Sequence, residues 1–230
     1  GRLMPASVAG ASSTGEDGAP PEGIGYGTVY SREDLNRALK SGGPYAVVPS
    51  RDLTGHGTKL AAVAAGSVDP ETGFIGAAPL ADIAVVKLKP AKQYLKDYFM
   101  VPEEAEAYQE NDIMLGLRFL HELAQRERKP LVICMALGTN MGGHAGTSPL
   151  SFYLNTIGSL SGRCVVTAGG NEANRGHHFY GTLGRDEEYQ DVELRVAQGE
   201  RGLMLQLWSS TPDVLSVSLI SPSGEEIPRV

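Results

Sequence analysis

The sequence predicts an α/β fold in which a parallel sheet carries helices on both faces, followed by part of an antiparallel β-sandwich. Three observations carry this. Short, nearly all-apolar strands at Asp82–Leu88, Leu131–Leu137 and Cys164–Thr167 alternate with segments of helical period. That alternation is the mark of a parallel sheet buried on both sides. Beyond about residue 177 the pattern changes to alternating apolar and polar residues with Gly- and Pro-containing turns between, which marks antiparallel pairing.

Taken in order, residues 1–30 are rich in Gly, Ser, Ala and Pro and read as an irregular, exposed segment. Ser31 followed by Glu33 and Asp34 reads as a helix cap with acids in its first turn. Tyr45–Pro49 is a short apolar stretch. His56–Ala65 is rich in Ala and Leu and almost free of breakers, so a buried helix is expected there, ended by Gly66. Glu103–Arg128 reads as a long helix, with Ile113, Leu117, Leu120 and Ala124 close to a 3.6 period. Ser148–Leu160 reads as a helix with Pro149 in its first turn. Asp191–Ala197, Leu203–Ser209 and Val214–Ser221 read as the strands that begin the sandwich. The chain therefore divides into an α/β part, residues 1–176, and a truncated β part, residues 177–230.

The bulk numbers narrow the function classes. The 230 residues carry a formal net charge of -7, with 41% hydrophobic and 20% charged residues. An acidic chain repels phosphate backbones, so nucleic acid is not an expected partner. No apolar run approaches the roughly 20 residues needed to span a bilayer, so no membrane role is expected. The N-terminus lacks both an initiator Met and the pattern of a signal peptide, so the chain reads as starting inside a longer protein. Cys134 and Cys164 each sit in an apolar run and read as buried thiols on neighbouring strands. Two cysteines are too few for a disulfide framework or a metal site.

Three segments carry chemistry. In Thr54-Gly55-His56-Gly57-Thr58 an imidazole opens a helix between two glycines. A rigid element holding an imidazole suits a general base, although a surface histidine at a helix end is the plainer alternative. In Val165-Val166-Thr167-Ala168-Gly169-Gly170-Asn171-Glu172 an apolar strand ends in two glycines and an amide side chain. At the carboxyl end of a parallel strand, Asn171 can point into a ligand crevice and donate an N–H to a developing oxyanion, or simply end a turn. In Met135-Ala136-Leu137-Gly138 a strand emerges into a Gly-rich loop and can pair with an extended peptide, or be an ordinary strand end.

Together these segments resemble the subtilisin-like serine proteases (subtilases, peptidase S8). Gly55-His56-Gly57-Thr58 is similar to that family's histidine motif, and Gly76–Leu88 to the strand and lead-in that follow it. Ala136-Leu137-Gly138 is similar to its substrate-binding segment, with Ala136 in place of the usual Ser, and Val165–Glu172 to its oxyanion-hole segment. Order and spacing match over residues 54–172. Residues 20–28 and 108–113 also resemble the clostridial Csp-type subtilases linked to spore germination, which carry a jelly-roll-like insertion between the oxyanion Asn and the catalytic Ser.

The resemblance implies a serine endopeptidase cutting protein or peptide substrates; no cofactor is expected, and no residues are assigned to a metal. It implies His56 as general base, Asn171 as oxyanion donor, Ala136, Leu137 and Gly138 as substrate-backbone partners, and Ala168, Gly169 and Gly170 as the border of the substrate pocket. The family aspartate follows an apolar strand, and Asp17, Asp34 and Asp52 do not. Asp52 reads instead as a loop or capping carboxylate. Gly146-Thr147-Ser148 imitates the nucleophile motif but precedes Asn171, and Pro149 makes Ser148 a helix cap. The first strand with its aspartate is expected before residue 1 and the serine beyond residue 230, so the chain alone should not turn over. The remaining part of the same protease is then a candidate partner. His144, His177 and His178 lack metal-site spacing and read as loop residues. The other reading is an inactive pseudoprotease with a binding or regulatory role. The Csp-type likeness implies a spore-associated or extracytoplasmic setting.

Overall fold

A computed structural model describes residues 2–3, 6–8, 19–184, 189–200 and 202–228. In chain order the elements are β1 (Arg2–Leu3), β2 (Ala6–Val8), β3 (Thr28–Tyr30), α1 (Arg32–Lys40), α2 (Pro44–Val47), α3 (His56–Ala65), β4 (Asp82–Ile83), β5 (Val86–Lys87), α4 (Gln93–Tyr98), α5 (Glu110–Arg126), β6 (Leu131–Met135), α6 (Pro149–Gly158), β7 (Arg163–Thr167), β8 (Leu219–Ile220) and β9 (Glu226–Ile227). No helix among the described residues is long and apolar enough to cross a membrane.

The parallel pairing read from the sequence is present, but in separate small sheets. β1 pairs with β4 and β2 with β5, all parallel, and β3 lies antiparallel on β2. β6 and β7 form a third parallel pair, from Leu131↔Arg163 to Met135↔Thr167. Among the described residues, β5 and β6 each have a ladder partner on one side only.

Helix α5 packs against the β3–β2–β5 sheet and the β6–β7 pair. Phe119 and Leu123 bury themselves with Ile24, against Ala84 and Val86. Leu117, on another side of the same helix, packs with Ile133 of β6 and Ile157 of α6. The 3.6-residue period that gives α5 one broad apolar stripe thus feeds two clusters. Gly116 faces Val86 so closely that a Cβ there would lie 2.9 Å from Val86 Cγ1. The helix is shorter than the expected 103–128 span. Residues 99–109 form turns, with Lys96 Nζ bonding Glu103 O at 2.7 Å, and α4 precedes them. At its start, Glu110 Oε1 accepts from Leu150 N at 2.9 Å and ties α5 to the first turn of α6.

Residues 1–30 are not uniformly irregular and exposed. Within them lie β1, β2 and β3, and Ile24, Thr28 and Tyr30 are buried. The Gly and Pro around these short strands hide a pairing made through distant partners such as Val86. The cysteines also need correction. Cys134 and Cys164 do sit on adjacent strands, but both are exposed. Period-two alternation turns Ile133 toward α5 and α6 and leaves Val132, Cys134 and Val166 on a face that no described element covers.

The region expected to begin a sandwich shows one two-residue antiparallel ladder, Leu219↔Ile227 and Ile220↔Glu226. The described residues from 177 to 218 form no strand, and Val192, Leu194, Val196, Leu203, Leu205 and Leu207 are exposed. Their alternation is that of a half-buried sheet, and the opposing layer that would bury them is not among the described residues.

Two features hold the α/β part in shape. The last carbonyls of α3 are met by a returning loop, in which Ala77 N bonds Val63 O at 2.9 Å and Ala78 N bonds Ala64 O at 2.8 Å. This crossing leaves no room at Gly76, where a Cβ would stand 2.4 Å from Gly66 N. Near the start of α5, Asp112 is 1% exposed. Its Oδ1 accepts from the Tyr26 hydroxyl and meets Lys89 Nζ at 3.4 Å, while its Oδ2 has no hydrogen-bond partner. The Lys89 ammonium also lies 4.1 Å from the Tyr26 ring centroid. Burial, then the bond to Asp112, push the Tyr26 hydroxyl up to about 12.

Gly76→Ala is expected to lower unfolding free energy by about 1–3 kcal/mol, because the added methyl meets backbone; denaturant unfolding of the full-length protein checks this. Above pH ~10 an unfolded Tyr26 loses its proton while the folded one keeps it, so stability falls between about pH 10 and about 12, by about 2 kcal/mol from this group. Urea midpoints at about pH 9 and about pH 11 should show a smaller fall for Tyr26→Phe than for the natural chain.

Candidate active site

His56 is the first residue of α3, as the sequence suggested. Gly55 before it is left-handed, with φ 77°, and Gly66 ends the helix. The turn is organised by Asp52. Its Oδ1 accepts from Gly55 N at 2.8 Å and Thr54 N at 3.2 Å, and its Oδ2 from Thr58 N at 2.8 Å and Thr58 Oγ1 at 2.7 Å. These donors, the Thr58 hydroxyl first, hold the Asp52 carboxyl far below the usual carboxylate range. Asp52 therefore caps the helix on which His56 stands, and its oxygens are engaged there rather than with the imidazole. The His56 ring is exposed.

The other two segments leave the carboxyl ends of β6 and β7. Because these strands are parallel neighbours in register, Ala136–Gly138 and Ala168–Gly170 emerge side by side. The ladder extends one step past the strands, with Ala168 N donating to Met135 O at 3.2 Å. Ala136 and Leu137 are partly buried, whereas Gly138, Ala168, Gly169, Gly170 and Asn171 are exposed. Gly170 has φ 86°, and the chain turns there so that Asn171 stands in the loop beyond. The carboxyl end of a parallel pair is where open α/β sheets bind ligands. The structure thus brings together the two segments expected to bind substrate and the oxyanion. His56 belongs to α3, which packs on β4, and no described hydrogen bond or ring contact links it to Asn171.

The remaining candidates have structural roles. Ser148 caps α6, its Oγ accepting from Ser151 N at 3.1 Å. Asp34 completes a capping box with Ser31 at the start of α1 and pairs with Arg37 at 2.9 Å. Asp17 lies outside the described residues. The His144 and His178 rings approach to 4.9 Å, and His177 meets Glu172 at 2.5 Å. Among the described residues no group of three or more His, Cys, Asp or Glu is placed to hold a metal ion.

One connection had no sequence signal. Glu172 Oε2 accepts from Asn140 Nδ2 at 2.6 Å as well as meeting His177 Nδ1. Asn140 and Glu172 are 32 positions apart, on the loops after β6 and β7, and only the pairing of those strands makes them neighbours.

Comparison with known proteins places this geometry. The model of the subtilase family (peptidase S8) matches residues 28–226. A solved structure, the CspB protease of Clostridium perfringens, is similar with a TM-score of 0.58 and 32% sequence identity. The likeness covers 76% of this chain and 32% of that one, so the chain spans about a third of the CspB protease's length. A search of curated protein sequences gave no match. With a histidine opening α3, an asparagine loop beyond β7 and a family match over most of its length, the chain belongs to the subtilase family, with a likeness to its Csp-type members.

Proposed function

We propose that this chain is the central part of a subtilisin-type serine endopeptidase that hydrolyses peptide bonds of protein substrates. The observation that carries the reading is the pairing of β6 with β7, which sets Ala136–Gly138 beside Ala168–Asn171 at one sheet end. An extended substrate would pair with the backbone of Ala136, Leu137 and Gly138. Ala168, Gly169 and Gly170 would border the side chain before the cut. His56 would take the proton from the attacking serine and return it to the leaving amine. Asn171 would donate its amide N–H to the oxyanion of the tetrahedral intermediate.

The reaction also needs a serine nucleophile and a carboxylate to orient His56. Asp34, Asp52 and Ser148 are occupied as caps, so the reading assigns both roles to chain outside residues 1–230. The open edges of β5 and β6 are consistent with a further parallel strand, and the exposed alternating residues after 190 with a further layer of an inserted jelly roll. A role in spore germination follows from the Csp-type likeness, and only from it.

The full-length protein should take one fluorophosphonate adduct, mapped by mass spectrometry to a serine outside residues 1–230, and His56→Ala should abolish it. Asn171→Ala should slow turnover of a peptide substrate about 10²–10³-fold with KM little changed, the cost recorded for this donor in subtilisin, its reference case. No adduct on folded full-length protein would replace this reading with a pseudoprotease that binds without cutting. Ser148→Ala should lower stability by about 1 kcal/mol and leave labelling and turnover unchanged; loss of the adduct in that variant would make Ser148 the nucleophile.

A further inference from the structure

The loops that leave β6 and β7 are tied through one carboxylate. Glu172 directly follows Asn171 and stands 49% exposed, so its bonds add little to stability. What they do is join three pieces of chain. Asn140 belongs to the loop after β6, Glu172 to the loop after β7, and His177 to the root of the C-terminal segment. The bond from His177, then that from Asn140, hold the Glu172 carboxyl below its usual range, and the charge of Arg175 adds to this. Glu172 is therefore an anion at neutral pH, the form that best accepts from both neighbours.

The loop after β6 is braced again from the C-terminal segment. Gly142 N donates to Gln206 Oε1 at 2.7 Å. The Trp208 ring lies so close to Gly143 that a Cβ there would be 3.1 Å from it. The rings of His144 and His178 approach to 4.9 Å. By contrast, Gly169, Gly170 and Asn171 make no hydrogen bond among the described residues. The side-chain hydrogen bonds next to Asn171 along the chain are those of Glu172.

We propose that Glu172 is a positioning residue, which fixes the Asn171 loop against the substrate-side loop through Asn140 and couples both to the C-terminal segment through His177. Its catalytic consequence rests on the endopeptidase reading above; the tie between loops does not. An oxyanion donor must stay within a few tenths of an ångström of its place, and a misplacement of about 1 Å can cost about 10²-fold in rate.

The test uses the full-length protein with Glu172→Ala, Glu172→Gln, Asn140→Ala and the Asn140→Ala/Glu172→Ala pair. Amide hydrogen exchange over residues 139–143 and 168–172 reads the tie without any need for activity. Steady-state turnover of a short peptide ester reads its consequence, and fluorophosphonate labelling of the natural protein reads the underlying function. Glu172→Ala should speed exchange in both loops and lower kcat about 10- to 100-fold with KM within about 2-fold. Glu172→Gln, which still accepts from Asn140, should retain more activity than the alanine variant. The double variant should be no worse than Glu172→Ala, because both remove one link. Unchanged exchange and kcat in Glu172→Ala, or additive losses in the pair, overturns the proposal. Faster exchange in a protein that takes no phosphonate upholds the tie and sinks the endopeptidase reading instead.

Discussion

Helix α5 can approach β5 only because residue 116 has no side chain. At that point the helix and Val86 are in contact with nothing between them. One turn of helix places Leu117 toward a different partner, Ile133 of β6, and Phe119 and Leu123 back toward the first. Two groups of strands that share no ladder are thus held by one helix. A larger residue at 116 would lift α5 from β5, and because α5 also carries Glu110, the shift would reach the first turn of α6. The same helix packs Leu117 on Ile133 of β6, the strand from which the Ala136 segment emerges.

Around that apolar frame, three carboxylates do different work according to how many donors surround them. Asp52 gathers backbone and hydroxyl donors within its own turn and so fixes a helix end locally. Asp112 is deep in the protein, with a phenol and an ammonium on one oxygen and nothing on the other. A buried anion with an unmet acceptor is costly, so its ammonium partner is needed for the charge to be tolerated. Glu172 is at the surface and links segments rather than stabilising a core. The same functional group serves as cap, buried pair or cross-loop tie, and burial and the sequence distance of its donors decide which.

The sequence made some of this legible and hid the rest for physical reasons. Helices α1, α3 and α6 were readable because their signals are local: Ser31 with Asp34, the glycines at 55 and 66, and Ser148 before Pro149. Strands β6 and β7 were readable as apolar runs. Strands β1 to β3 were not, since they are two or three residues long and depend on distant partners. The exposure of Cys134 and Cys164 was missed because an apolar run does not reveal whether one face of a sheet or both are covered. Asp112 gave no sign beyond an acid in a helix's first turn, where acids are common. The tie from Asn140 to Glu172 exists only through tertiary pairing and leaves no local trace.

The cap around His56 spans residues 52–58, so its bonds reach at most six positions along the chain. The Asn171 loop is different, since it is set in place only when β6 and β7, separated by a helix, have found one another. Contacts that are close in sequence close sooner than contacts that are far apart. The histidine's seat can therefore form early during folding, before the β6–β7 pairing is complete. A change that weakens the β6–β7 pairing would leave an intact helix start with an intact histidine, while the Ala136 and Ala168 segments lose their alignment. In such a chain the most recognisable motif would survive as a relic of local structure, separated from the architecture that gives it a use.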